Sequence, residues 1–251
     1  MQPGYAVKAP LVPMARPNPA ANGWINHRAA LVQPFALFAG ISLMDCAQIV
    51  ASAQERQFVQ RKTLFFEGDP IQHVVLVLSG CIKVTQLSPN GQEVILRLNG
   101  PGEMVGALGS SSKFGHCSTA RTVEPSAVLI WETNHFEVIS ERFPLLRRNA
   151  ARILEQRLNE MDVRFREVST EKVAPRLSSQ LVRLLKQVGK HTDGHVKIAL
   201  SRRDLAQLTG TTLFTVSRLL SYWETRGIVT ARREEVLVRD LPALVGLSRE
   251  S

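Results

Sequence analysis

The chain holds 251 residues, 44% hydrophobic, 21% charged and 6% aromatic, which excludes wholesale disorder and fibrous architecture and leaves room for two ordinary domains of about 100–200 residues each. Its formal charge of +9 is one-sided: residues 1–140 carry 10 Lys and Arg against 9 Asp and Glu, whereas residues 141–251 carry 21 against 13. The basicity therefore lies in the C-terminal part, as in a phosphate-backbone binder, although a well-solvated face accounts equally well for charge taken alone.

Residues 1–28 include repeated prolines and no continuous apolar core, so a flexible Pro-rich extension is expected there rather than a targeting helix. From about Leu31 to Val59 the spacing of Phe35, Phe38, Leu43, Cys46, Ile49 and Val50 predicts helix, with Ser42 placed to cap. Short apolar or alternating runs then follow one another closely: TLFFEGDP, HVVLVLSG, CIKVTQLSPNG, QEVILRLNGPGE and SAVLIWE. Asn90-Gly91 between two of them is a hairpin signal, and many short strands at even spacing imply a jelly roll or barrel, assigned to residues 29–140.

Around Phe136 the period changes to about 3.6. Pro144 to Val168 reads as one long helix, in which Ala151, Leu154, Leu158, Met161, Phe165 and Val168 recur at steps of three and four. That seam suits a partner helix, and residues 141–169 are expected to be a dimerisation helix; packing on its own domain is the competing reading. After Ser169 the sequence predicts helix from Val173 to Val188, a strand at Val196–Leu200, a helix begun by a Ser201/Asp204 capping box, a break at Gly210, and a second helix from Leu213 to about Arg226. A hairpin with a charged tip closes the segment. Residues 170–241 thus form a winged helix-turn-helix, and residues 242–251 are left as a tail.

In SRRDLAQLTGTTLFTVSRLLSYWETRG, Leu205, Ala206 and Leu208 can face inward from the first helix and Val216, Leu219, Leu220 and Trp223 from the second. Thr212, Phe214, Ser217, Arg218 and Ser221 are then left on the outer face, where a second helix of this kind meets the major groove. DLAQLTG followed by TVSRLL resembles the helix-turn-helix signature of the Crp/Fnr family of bacterial transcription regulators, and the order of barrel, long helix and winged helix resembles that family over most of residues 31–240. The resemblance implies an α+β fold: an N-terminal double-stranded β-helix or jelly-roll barrel like a cyclic-nucleotide-binding domain, a long dimerisation helix and a C-terminal winged helix-turn-helix. It implies a homodimer on pseudo-palindromic double-stranded DNA, acting with RNA polymerase in the cytoplasm, with no enzymatic activity.

On that resemblance Ser217 and Arg218 face the bases, and Phe214 stands where the family commonly carries a glutamate. Its ring suits a thymine methyl rather than cytosine N4. Thr212, Arg202, Arg203, Arg232 and Arg233 are expected at phosphates, where contacts set register without reading sequence; Thr212 also explains itself as a helix cap.

In the barrel, Gly80, Gly91, Gly102 and Gly106 are expected to serve turns. The family's cyclic AMP pocket has a Glu for the ribose and an Arg-Ser pair for the phosphate. Here Ala107 stands at the Glu position, and His116 and Cys117 replace the pair, so an effector other than cyclic AMP is expected around Gly106, Ala107, Leu108, His116 and Cys117.

No cysteines precede Leu31 to hold an iron–sulfur cluster, and Leu76 and Leu78 occupy the haem-ligand positions of carbon-monoxide sensors. His116 beside Cys117 as a haem or redox site, and any redox role of Cys46 or Cys81, stay open. Those three cysteines form no Cys-x-x-Cys pair, and His191 and His195 around Asp193-Gly194 read as turn chemistry, so no metal site or cofactor is assigned. No apolar run approaches the ~20 residues of a membrane-spanning helix. Two other readings remain: a constitutive DNA binder with no ligand, and a small-molecule sensor or enzyme built on the barrel.

Overall fold

The computed structural model describes residues 21–106, 115–192 and 195–249. The chain opens with α1 (Ala21–Val32), a 3-10 turn at Ala36–Phe38 and α2 (Leu43–Ala51). Strands β1 (Gln54–Phe58), β2 (Thr63–Phe65), β3 (His73–Ser79), β4 (Ile82–Leu87), β5 (Glu93–Asn99), β6 (Met104–Val105), β7 (Thr119–Thr122) and β8 (Ser126–Glu132) build two antiparallel sheets, ordered β1-β8-β3-β6 and β2-β7-β4-β5. The expected jelly-roll barrel is therefore present. HVVLVLS is apolar without alternation because β3 is covered on both faces. Val74, Leu76 and Leu78 join the core under the helices, while Val75 and Val77 join the core between the sheets with Ile82, Val84 and Val128.

Three expectations change. Part of the extension read over residues 1–28 is helix: α1 includes residues 21–28, and residues 1–20 lie outside the described residues. Arg28 fixes this helix by donating to Glu55 Oε2 from Nε (2.9 Å) and Nη2 (2.6 Å), with Ala29 and Val32 buried below. The helix expected up to Val59 ends at Ala51, because Gln54–Phe58 pairs with β8 in the register Gln54↔Ile130 to Phe58↔Ser126. The expected tail contains a further helix, whose stabilisation is long-range as well.

Helix α3 (Thr133–Arg142) leads into α4 (Pro144–Thr170), which begins with Pro at its first turn, where a missing N–H costs nothing. Buried Asn149 ties its start to the barrel by donating to the Leu37 and Ala39 carbonyls (3.0 and 2.9 Å). Among the described residues no helix is long and apolar enough to cross a membrane.

The C-terminal part contains α5 (Val173–Val188), β9 (Lys190–Thr192), β10 (His195–Ile198), α6 (Arg202–Thr209), α7 (Leu213–Thr225), β11 (Val229–Ala231), β12 (Val236–Val238) and α8 (Leu241–Leu247). Its sheet runs β11-β12-β10-β9. Helix α8 forms in the expected tail because Asp240 accepts from Ala243 N (2.9 Å) and Leu244 and Leu247 are buried with α5.

The winged helix also sits on the barrel: Cys81, Ile95 and Leu98 share one core with Leu177, Leu181, Leu205 and Trp223. Burial pushes the Cys81 thiol up to about 12, so it remains a protonated core side chain at neutral pH.

Candidate nucleic-acid interface

Two caps and one glycine set the helix-turn-helix. Ser201 Oγ accepts from Asp204 N and Asp204 Oδ2 accepts from Ser201 N, both at 3.1 Å, which closes the expected capping box at the start of α6. Gly210 ends α6 in the left-handed region (φ 59°, ψ 46°), where a side chain would be strained. Thr212 Oγ1 then accepts from Thr215 N at 3.1 Å and starts α7. Val216, Leu220 and Trp223 pin α7 from below.

The outer face of α7 is as the pattern implied. Phe214 is 76% exposed, Arg218 is exposed and Ser217 is half-buried beside it. No hydrogen bond among the described residues occupies the Arg218 guanidinium. Thr212 is both exposed and committed to its cap.

The four arginines expected at phosphates separate. Arg203 and Arg233 are exposed and enter no ion pair among the described residues, while Arg232 pairs with Glu235 at 2.9 Å. Arg202 is turned away: its Nη2 donates to the Ala231 carbonyl in the wing at 3.0 Å.

Asp204 also receives the Lys83 ammonium of β4 at 3.1 Å, which ties α6 to the barrel. Burial works to raise the Asp204 carboxyl, but the Ser201 hydroxyl and the Lys83 charge outweigh it and hold the group below the ordinary 3.8. A carboxyl with a depressed folded value stabilises fully above the unfolded value, and that contribution is lost as pH falls through the folded value. Asp204→Asn is expected to cost about 1–2 kcal/mol near neutral pH, through the cap and the charge-assisted bond. Urea unfolding of both proteins checks this, and the gap should close well below pH 3.8.

Helix α4 runs between the two parts. Arg164 donates to the Leu96 carbonyl, to that of Ile95 (3.3 Å) and to that of Leu208 (3.0 Å), joining β5 to α6. Glu167 accepts from Arg183 at 2.6 and 2.7 Å. Sequence reasoning missed these residues, since a guanidinium beside the apolar seam of a heptad helix looks like an ordinary flank. Leu154, Leu158, Met161, Phe165 and Val168 remain 50–76% exposed on this single chain.

At the effector end of the barrel, Gly106 has φ +77°, and a Cβ there would lie 2.9 Å from the Phe65 ring and 3.3 Å from the His116 ring. Those two rings stack at 3.6 Å and 9°. Burial, partly offset by Asp69, lowers the His116 pKa and keeps the imidazole neutral. His116 is thus a packed ring over Gly106, which differs from an imidazole open to a phosphate. Cys117 is exposed, and its carbonyl accepts from Gln86 Nε2 at 2.6 Å. Ala107 and Leu108, and the turn at Asp193-Gly194, lie outside the described residues. Among the described residues no group of three or more His, Cys, Asp or Glu could hold a metal ion.

Comparison with known proteins joins both halves. Residues 55–143 match the cyclic nucleotide-binding domain family and residues 175–247 match the Crp-like helix-turn-helix domain family. The chain is 30% identical over 209 residues to the cyclic AMP receptor protein of Thermus thermophilus, covering 83% of this chain and 94% of that one. It is 26% identical to the CRP-like cAMP-activated global transcriptional regulator of Mycobacterium tuberculosis, over 85% and 96% of the two chains. The fold is similar to that of FixK2 from Bradyrhizobium japonicum (TM-score 0.68, 22% identity, 79% and 98% covered). These curated relatives are regulators of transcription rather than enzymes.

Proposed function

The chain belongs to the Crp/Fnr family of bacterial transcription regulators, and from that premise we propose that it acts as a cytoplasmic homodimer reading a pseudo-palindromic DNA site and working with RNA polymerase. The observation that carries this reading is the outer face of α7, where Phe214 and Arg218 stand clear with a half-buried Ser217 between them on a helix fixed by the Thr212 cap and the Trp223 core. Arg218 donates its fork to O6 and N7 of a guanine, Ser217 supports it, and Phe214 meets a thymine methyl. Arg203 and Arg233, followed by Arg232 and the exposed Thr212, set the register on phosphates.

The dimer forms along α4, within residues 141–169, and places the two recognition helices about one DNA turn apart. The barrel of residues 29–140 holds an effector that differs from cyclic AMP, despite the names of the relatives. Ala107 stands in place of the acid that would take the ribose, and the position of the phosphate-binding pair holds a packed His116 and an exposed Cys117. The protein has no catalytic role. Effector binding shifts the population of α4 settings rather than creating a new one.

Selection of bound duplexes from a random library, with purified protein and no added effector, tests the reading. An enriched palindrome with a guanine in each half-site supports it and makes the isolated protein active. Salt-sensitive binding without enrichment means that an effector is required, and no binding even at low salt overturns it. Phe214→Glu is expected to move the preference at one position per half-site from thymine to cytosine, because a carboxylate accepts from cytosine N4. Repeating the selection with that variant checks the exchange.

A further inference from the structure

The wing ends in an edge strand. In the order β11-β12-β10-β9, β11 has one neighbour, so the N–H and C=O groups on its other side have no ladder partner. At Ala231 both are taken by side chains. The carbonyl accepts from Arg202 Nη2 at 3.0 Å, and the N–H donates to Glu224 Oε1 at 3.2 Å. Arg202 is the first residue of α6 and Glu224 lies in the last turn of α7. The two helices of the reader therefore hold the two backbone groups of one wing residue.

Immediately after Ala231 comes the tip. Arg232 N donates to the Glu235 carbonyl at 2.9 Å, closing the turn that carries Arg232 and Arg233. Any rotation of β11 about its own axis moves that tip relative to α7, and the clamp on Ala231 opposes that rotation.

We propose that Arg202 and Glu224 are positioning residues which clamp Ala231 and thereby fix the wing arginines at the distance from α7 that the DNA backbone requires. The proposal rests on the DNA-binding reading for its consequence, while the clamp itself exists in the free protein. It removes Arg202 from the phosphate contacts assigned by sequence, and it gives an acidic residue, Glu224, a constructive part in binding a polyanion. A carboxylate near DNA would ordinarily weaken binding, so Glu224→Ala weakening it is the unusual expectation.

The test is a cycle on the full-length protein with the selected duplex. Arg202→Ala and Glu224→Ala are each expected to weaken binding about 3- to 10-fold, the scale of one missing hydrogen bond. Arg232→Ala with Arg233→Ala lowers the salt slope by about 0.9 for each phosphate that is no longer neutralised. In that double-variant background, Arg202→Ala should change affinity by less than about 2-fold, because the groups it positions are gone. An undiminished Arg202→Ala effect there, or Glu224→Ala leaving affinity unchanged or raising it, overturns the proposal.

Amide hydrogen exchange in the free protein gives a second reading without DNA. The Ala231 amide should exchange at least about tenfold faster in Glu224→Ala, and the tip residues faster in both single variants. Unaltered exchange in both overturns the clamp. If the wild type binds no duplex while exchange responds as expected, the DNA reading fails and the clamp stands.

Discussion

Arg218→Ala is expected to erase the guanine preference of the selected site while leaving non-specific DNA binding in place. A bidentate arginine on guanine supplies about 1–3 kcal/mol of discrimination, and a two-fold site uses it twice, so the variant should lose about 2–6 kcal/mol of specificity. The salt slope should change little, because Arg218 donates to a base and releases no phosphate counterion. Arg218→Lys should recover only part of the loss, since an ammonium keeps the charge without the fork. Fold stability should be unaffected: the side chain is exposed on α7, whose packing comes from Val216, Leu220 and Trp223. Equilibrium titration against the selected and a scrambled duplex at several salt concentrations measures each quantity. Equal discrimination by wild type and variant would place base readout elsewhere on α7, with Phe214 the next group to test.

What the sequence exposed and what it hid differ in range. The helix-turn-helix was legible because its signals are local: Ser201 with Asp204, Gly210, and Thr212 before Leu213 each act on backbone within four residues of themselves, and each performs the expected role. The barrel was legible as runs of strand, although β1 was not, because QERQF has no apolar alternation and owes its state to pairing with β8 some seventy residues later. Helix α1 depends in the same way on Arg28 finding Glu55. Helix α8 did carry a local signal, Asp240 followed by Pro242, and attention to capping would have found it.

The candidate site divides along the same line. Exposure of Phe214 and Arg218 follows from which residues of α7 must be buried, so periodicity was enough. The direction of Arg202 does not: whether an arginine at a helix start points to solvent or back to a wing carbonyl depends on a strand 29 residues away. Lys83 meeting Asp204 across 121 residues is likewise invisible to any local pattern, yet it is one of the ties that set the reader on the barrel.

Leu158→Glu with Phe165→Glu is expected to leave a folded monomer that no longer binds the full site. In the single chain Leu158 is 58% and Phe165 76% exposed, so neither substitution disrupts the core, and far-UV circular dichroism should be unchanged. In a symmetric pair each residue lies at the seam on both helices. Four apolar side chains then lose their burial, at about 1–2 kcal/mol each for the exposed portion still to be covered. Four carboxylates are placed on one another instead, and like charges at close range add to the cost. A loss of about 4–8 kcal/mol on this basis moves a sub-micromolar dimer into the millimolar range or beyond. Sedimentation equilibrium should report one chain of about 27.9 kDa. On DNA the consequence is larger than any single contact. A dimer binds its second half-site intramolecularly, whereas two monomers bind independently, so affinity for the palindrome should fall to that for an isolated half-site. Arg218 would still read its guanine there, and the half-site preference should survive in a monomer supplied at high concentration. A variant that stays dimeric would show that the seam runs along a different face of α4. The exposed stripe from Leu154 to Val168 would then need another partner to cover it.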